Sequence, residues 1–242
     1  MSGWIFPKDK WMRWYAKIIS SLNLNFSADQ EATDLLSRIL TTMEGAMTFD
    51  ELKNVMSGLR GVVVVGAGPS LEKSDQKIRE LKLKGWGVFS ADGATTFLLE
   101  HNITPDIVVT DLDGRIRDLL SANERGSIAV IHAHGDNIPA IKEFVKKFKG
   151  RIMGSTQVEP RPLVYNFGGF TDGDRCVFLA YALGYRRIAL AGMDFGNVVG
   201  RYSKPWLSSN IPANAVKRKK MDIARDLIEW LAKSEGLEIL TV

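Results

Sequence analysis

Two aspartates one residue apart, Asp111 and Asp113, stand in the run Val108-Val109-Thr110-Asp111-Leu112-Asp113-Gly114, directly after an apolar, β-branched stretch. At positions i and i+2 of a loop, two carboxylates can converge on one cation. Without a cation they repel each other, and the pKa of one rises. A set of oxygen ligands favours Mg2+ or Mn2+ over zinc. Such an ion bridges phosphate oxygens and offsets the charge that grows during phosphoryl transfer. Asp92, in Ala91-Asp92-Gly93, and Asp136, in His134-Gly135-Asp136, follow two similar apolar stretches. The candidate catalytic set is therefore Asp92, Asp111, Asp113 and Asp136, with Asp92, Asp111 and Asp113 as metal ligands. A lone Asp after a strand is commonly a helix cap. Capping does not require two carboxylates within three residues.

Other residues suit the handling of phosphates. Gly66-Ala67-Gly68-Pro69-Ser70 follows a run of four valines. Its backbone N–H groups could cradle a phosphate at a helix N-terminus; a tight turn before a helix is the competing reading. A dinucleotide fingerprint needs a third glycine, and Leu71 stands in its place. His132 and His134 flank Ala133, and strand spacing puts both on one side. They suit phosphate contact, acid–base help or simple structural hydrogen bonding. Lys217-Arg218-Lys219-Lys220 opens a long helical pattern, after a Ser-, Pro- and Asn-rich loop carrying Arg201, Lys204 and Trp206. That loop could be a lid whose cations close on a triphosphate, or the lysines could form a solvated face. The nucleotide-binding candidates are Gly66, Gly68, Ser70, His132, His134, Lys217 and Lys220.

A flat ring has candidates too. Asn166 to Arg175 is rich in glycine and acids. Phe167 or Phe170 could stack a ring, while Asp172 or Asp174 bonds its edge. At least one of Thr171, Asp172 and Asp174 must cap the helix that follows. With Gln157 and Asp194 at other strand ends, the substrate-binding candidates are Phe170, Asp172, Asp174, Gln157 and Asp194.

The elements needed to position these residues are legible. Val62–Val65, Trp86–Ser90, Ile107–Val109, Ile128–Ile131, Ile188–Ala191 and, more weakly, Arg151–Met153 read as buried strands. Helical patterns at Ile78–Leu83, Ile138–Phe148 and Arg175–Leu183 lie between them. A helix over Ala213–Ser234 and a strand over Leu237–Leu240 end the chain. This alternation predicts an α/β fold with a doubly wound, mostly parallel sheet. Ligands of such folds bind beyond the C-terminal strand ends, where the polar residues above collect. Residues 1–57 predict a helical N-terminal cap, with a helix start at Ser27 to Glu31 and Trp11, Trp14 and Tyr15 as core or interface. Residues 58–242 form the α/β catalytic domain.

Composition sets outer limits. Of the 242 residues, 45% are hydrophobic and 25% charged, an ordinary globular mix. The net charge of +4 attracts polyphosphates without marking a nucleic-acid binder. No stretch is apolar enough to cross a membrane. The single cysteine, Cys176, excludes an intrachain disulfide and lies in an apolar run that predicts burial. These features predict a soluble, cytoplasmic protein with no nucleic-acid or membrane partner. A homo-oligomer is compatible with them.

Ala91-Asp92-Gly93-Ala94 and Pro105 to Asp113 resemble the paired aspartate motifs of thiamine pyrophosphokinases, with departures at Ala94, Thr110 and Gly114. The sequence more closely resembles the archaeal 6-hydroxymethyl-7,8-dihydropterin diphosphokinase family, which shares the thiamine-pyrophosphokinase-like fold. The likeness rests on Gly66-Ala67-Gly68-Pro69-Ser70, Ala91 to Ala94, Val109 to Gly114, His132 to Asn137, Gly168 to Arg175 and Gly192 to Gly196. It implies Mg2+-dependent transfer of diphosphate from ATP to 6-hydroxymethyl-7,8-dihydropterin, a reduced pterin alcohol. AMP and the pterin diphosphate result, on the route to archaeal folate or methanopterin-type cofactors. No nucleophilic side chain is required. The rival activities are a metal-dependent glycosyltransferase, thiamine pyrophosphokinase and an NAD-binding oxidoreductase; the non-enzymatic rival is an RNA-binding module.

Overall fold

The computed structural model describes residues 3–242. Three helices come first: α1 (Lys8–Leu22), α2 (Phe26–Leu40) and α3 (Phe49–Val55). Strands and helices then alternate: β1 (Val62–Val65), α4 (Asp75–Leu83), β2 (Gly87–Ala91), α5 (Ala94–Glu100), β3 (Ile107–Thr110), α6 (Ile116–Glu124), β4 (Ile128–Ala133), α7 (Ile138–Phe144), β5 (Ile152–Thr156), β6 (Val164–Tyr165), α8 (Asp172–Ala182) and β7 (Arg187–Ala191). A two-stranded antiparallel arm, β8 (Val198–Val199) and β9 (Ile211–Pro212), precedes α9 (Ala215–Glu235) and β10 (Glu238–Thr241).

The main sheet has the order β10-β7-β1-β2-β3-β4-β5-β6, and every pairing in it is parallel. Its strands are apolar runs because helices cover both faces. All four valines of β1 are wholly buried, each contributing roughly 1.5–3 kcal/mol. From β1 the chain winds outward as far as β6, then crosses back to place β7 on the other side of β1. The reversal opens a crevice beyond the C-terminal ends of β1 and β7. The edge strand β6 and the β8–β9 arm have no counterpart in the predicted elements, being two residues per strand.

The N-terminal helices share the core of the α/β unit. Trp11, Tyr15 and Ile18, spaced to fall on one face of α1, are buried in the same apolar cluster as Val62, Val64, Phe178 and Leu227. Trp14 lies on another face and meets Trp230 of α9 edge-on at 5.7 Å. Leu36 and Leu40 of α2 join Ile131 and Ile152 in a second cluster. The α2 helix begins one residue before the predicted Ser27 start, because Asn25 caps it by accepting from Ala28 N at 3.1 Å. That places Asp29 within the helix, where it is buried. Among the described residues, no helix is long and apolar enough to cross a membrane.

Candidate functional site

A cavity of ≈ 550 Å³ runs along the C-terminal edge of the sheet. The strand order fixes what lines it: Gly192 to Asp194 beyond β7, Gly66 to Gly68 beyond β1, Asp92 beyond β2, Asp111 and Asp113 beyond β3, His132 and His134 at β4, and Gln157 beyond β5. Asp29 of α2, Asp172 of α8, Lys204 of the arm and Lys217 and Lys220 of α9 close it from outside the sheet.

Three carboxylates meet at its centre. One oxygen each from Asp92, Asp111 and Asp172 lies within 4.8 Å of the other two. The local backbone explains the first two. Asp92 (φ 37°) and Leu112 (φ 69°) both take left-handed conformations, costly for a leucine by about 1–3 kcal/mol. At Leu112 that turn sends the leucine into the core and the flanking aspartates into the cavity. Thr110 holds the arrangement: its hydroxyl donates to Asp92 Oδ1 and accepts from Leu112 N at 2.8 Å. Asp172 arrives as the first residue of α8.

Electrostatics describe a cluster short of positive charge. Burial and the charges of Asp111 and Asp113 push the pKa of Asp92 well up. Burial and the charges of Asp111 and Asp92 do the same for Asp172. Burial acts upward on Asp111 too, but the His134 hydrogen bond and charge, with Lys204, hold it below its ordinary value. Three hard oxygen donors, of which Asp92 and Asp172 otherwise favour holding protons, fit a divalent cation such as Mg2+. Asp113, expected as a ligand, is outside this triad and is hydrogen-bonded to Lys204 Nζ. Asp172, expected at the ring, stands inside it. Asp136 is exposed at the cavity wall, its Oδ2 4.0 Å from His134 Nδ1.

The Gly66–Ser70 loop differs from the expected phosphate cradle. Gly66 N donates to Ala191 O, Gly68 N to Gly192 O and Ser70 N to Asp194 Oδ2, at 2.8, 2.8 and 3.1 Å. Three donors are thus spent, and the last faces a carboxylate, which repels phosphate. A Cβ at Gly68 would collide with Asp194 and Gly192, so close packing of the β1 and β7 loops accounts for this glycine. Ser70 is not part of the cavity wall.

One further expectation is corrected, and one pair of alternatives is separated. Asp174 caps α8: Oδ2 accepts from Phe170 N at 2.6 Å and Oδ1 from Thr171 N at 2.7 Å, leaving it buried away from the cavity. Phe167 is a core residue, whereas Phe170 lines the cavity. In the suspected lid, Lys204 reaches the site, Arg201 pairs with Glu72, and Trp206 is exposed outside the cavity.

His132 is buried between Ser155 Oγ at Nδ1 (3.1 Å) and Arg175 Nη2 at Nε2 (2.9 Å). Arg175 can only donate, so Nε2 accepts and Nδ1 carries the proton. Burial and Arg175 keep this ring neutral. Arg175 also donates to Phe170 O at 2.8 Å, and its Nη1 lies 3.6 Å from Asp172 Oδ1. His134 Nε2 lies 3.4 Å from Asp111 Oδ2. Burial, then Lys204, lowers the pKa of Lys217, which also feels Asp113 and Asp172. No residue-level pattern singles out Arg175 or Asp29 for the site. Both looked like ordinary helix-start residues, and only the packing of their helices turns them inward.

A family model described as 6-hydroxymethylpterin diphosphokinase MptE-like matches residues 35–200. Curated relatives match almost end to end. The 6-hydroxymethyl-7,8-dihydropterin pyrophosphokinase of Methanothermobacter thermautotrophicus is 45% identical over 95% of this chain and 97% of its own. Those of Pyrococcus furiosus and Methanocaldococcus jannaschii are 43% and 41% identical, each over 96% of this chain and 97% and 98% of their own. The chain belongs to this 6-hydroxymethyl-7,8-dihydropterin pyrophosphokinase family. Among solved structures, the MAf glycosyltransferase from Magnetospirillum magneticum AMB-1 aligns with TM-score 0.49 and 17% identity, over 87% of this chain and 38% of that one. The pyrophosphokinase family model spans the triad; Asp29, Lys204 and the α9 lysines lie outside the matched segment.

Proposed function

We propose that the protein transfers diphosphate from ATP to the hydroxymethyl group of 6-hydroxymethyl-7,8-dihydropterin, with Mg2+ held by Asp92, Asp111 and Asp172. The observation that carries this reading is the carboxylate triad at the centre of the cavity, with Lys204, Lys217 and Lys220 around it. The names of the relatives support the pterin and the diphosphate transfer.

In the transfer, the pterin hydroxymethyl oxygen bonds to the β-phosphorus, the bond from that phosphorus to the AMP oxygen breaks with its electron pair staying on AMP, and the hydroxyl proton passes to solvent. When bound, the metal ion supplies charge neutralisation at the phosphate oxygens. The chain itself supplies position. Lys217 and Lys220 bind phosphate oxygens from α9. Lys204 leaves Asp113 to join them. Asp194, exposed at the crevice between β1 and β7, accepts from ribose hydroxyls. His134 orients Asp111, and Arg175 fixes both Asp172 and the neutral tautomer of His132.

The test is incubation with ATP, Mg2+ and the pterin alcohol, followed by nucleotide analysis. AMP and pterin diphosphate should appear in equal amounts. ADP as the sole nucleotide product, or full turnover in excess EDTA, overturns the reading. The archaeal cofactor pathway and a cytoplasmic location belong to the same proposal, through the cofactors that a pterin diphosphate feeds.

A further inference from the structure

We infer that Asp29, reaching into the cavity from α2, selects the acceptor by accepting a hydrogen bond from the 2-amino group of the pterin. The inference rests on the diphosphokinase reading and deepens it by naming the residue that reads the ring.

The two ends of the cavity differ in charge. The triad sits beyond β2 and β3, and Lys217 lies close enough to feel Asp113 and Asp172. Polyphosphate therefore belongs at the centre, between the lysines and the carboxylates. The end beyond β4 and β5 is different. There the wall is Asp29, Gln157, His134, Gly135 and, from the α1–α2 turn, Leu22 and Leu24. Among the described residues, the one arginine that lines the cavity, Arg175, is engaged with His132, Phe170 O and Asp172. A carboxylate at this end disfavours phosphate and favours a neutral ring that brings N–H donors.

Asp29 itself is 5% exposed and, among the described residues, has no cationic partner. Three neutral donors hold it. Its Oδ2 accepts from the Tyr15 hydroxyl and from Gln157 Nε2 at 2.7 Å. Among the described residues, its Oδ1 accepts only from Gly135 N, at 2.8 Å. A carboxylate offers about four acceptor positions, so one is left, on Oδ1. Burying a carboxylate without a counter-charge is costly unless its hydrogen bonds are filled. Here the set is one short, in a residue that lines the cavity. The approach of α2 is itself built for the purpose: a Cβ on Gly135 would come within 2.6 Å of Ala28 Cβ, so glycine at this position lets Asp29 reach the β4 loop.

The remaining acceptor position distinguishes rings. A 2-amino-4-oxo pyrimidine edge presents two adjacent N–H donors. Adenine presents one, next to a ring nitrogen whose lone pair would face that of Oδ1. A 2-oxo ring, the lumazine counterpart, places a carbonyl oxygen against the carboxylate and is rejected. A site whose buried polar group is matched to a substrate donor rejects an analogue that lacks it strongly.

The experiment is fluorescence titration of the protein with 6-hydroxymethyl-7,8-dihydropterin and with its 2-oxo counterpart. The wild type should bind the 2-amino ring about 100-fold more tightly. Asp29→Asn, which can turn an N–H toward a 2-oxo group, should lower that ratio by about tenfold or more. Nucleotide affinity measured on the same variant should stay at the wild-type value and shows that the site is intact. Tyr15→Phe disturbs the same buried cluster but leaves Oδ1, and should keep the wild-type ratio. Equal binding of the two rings by the wild type, an unchanged ratio in Asp29→Asn, or a ratio lost equally in Tyr15→Phe overturns the inference while the pterin is still bound and turned over. If neither ring binds and no AMP is released, the functional reading itself has failed and this inference falls with it.

Discussion

Replacing Asp172 by Asn should stabilise the metal-free protein, and added metal should cancel that advantage. The three carboxylates lie within 4.8 Å of one another. At that separation and an effective dielectric constant of about 20, two full charges repel by about 3 kcal/mol. The metal-free protein avoids most of this by holding protons, since the pKa values of Asp92 and Asp172 are pushed up by burial and then by neighbouring acids. A raised folded-state pKa means that the native chain binds the proton more tightly than the unfolded chain. Stability is therefore lost as pH rises from the unfolded carboxylate value, about 4, through the raised folded value. Above it, Asp172→Asn should stabilise the metal-free protein by about 1–2 kcal/mol, net of the weakened contact with Arg175, or about 2–8 °C in Tm. It should also flatten the fall of Tm with pH. With Mg2+ at about 100 times its Kd, the wild type gains about 2.7 kcal/mol. Asp172→Asn, with two carboxylates left, should lose at least half of that gain, and its advantage disappears. The assay is thermal unfolding in EDTA and in Mg2+ across pH. A variant with the full Mg2+-induced shift refutes the ligand assignment. So does Asp113→Asn if it abolishes that shift.

Three other changes test separate parts of the site. Lys217→Met should raise KM for ATP about tenfold, the loss of roughly 1.4 kcal/mol of phosphate binding, while pterin affinity, read by fluorescence, stays unchanged. Gly114→Ala puts a methyl against the Asp92 carboxylate, so Mg2+ affinity by calorimetry should fall far more than the Tm. Arg175→Met removes the donors to His132 and Phe170 O from a buried position; chemical unfolding should show a loss of about 3 kcal/mol.

The main sheet was legible because its strands are continuous apolar runs: Val62–Val65 is a strand in full, and Ile128–Ile131 extends only to Ala133. The strand ends then located most of the cavity wall, including Asp92, Asp111, His132, Gln157 and Asp194. What sequence could not show was how residues far apart share one point. Asp172 and Asp174 are chemically alike and two positions apart in a helix, yet one turns to the triad and the other back onto its own N-terminus. Asp113 carries the right spacing but is drawn to Lys204, 91 residues away in the chain. Asp29 sits where acids ordinarily favour a helix dipole, and only contact of α2 with the loops after β4 and β5 gives it Gly135 and Gln157 as partners. The Gly66–Ser70 loop shows the converse: its composition suits an anion, but Asp194 already occupies a donor.

Cys176 lies one turn along α8 from Asp172, wholly buried against the sheet, with burial raising its thiol pKa well above the usual value. Thiolate chemistry there requires the helix to leave its bed. A thiol-specific reagent therefore times the departure of α8, the helix that carries Asp172 and Arg175. With one cysteine in the chain, the unmodified protein reports the opening of the cavity wall that α8 forms, and ligands that dock on that wall set the rate.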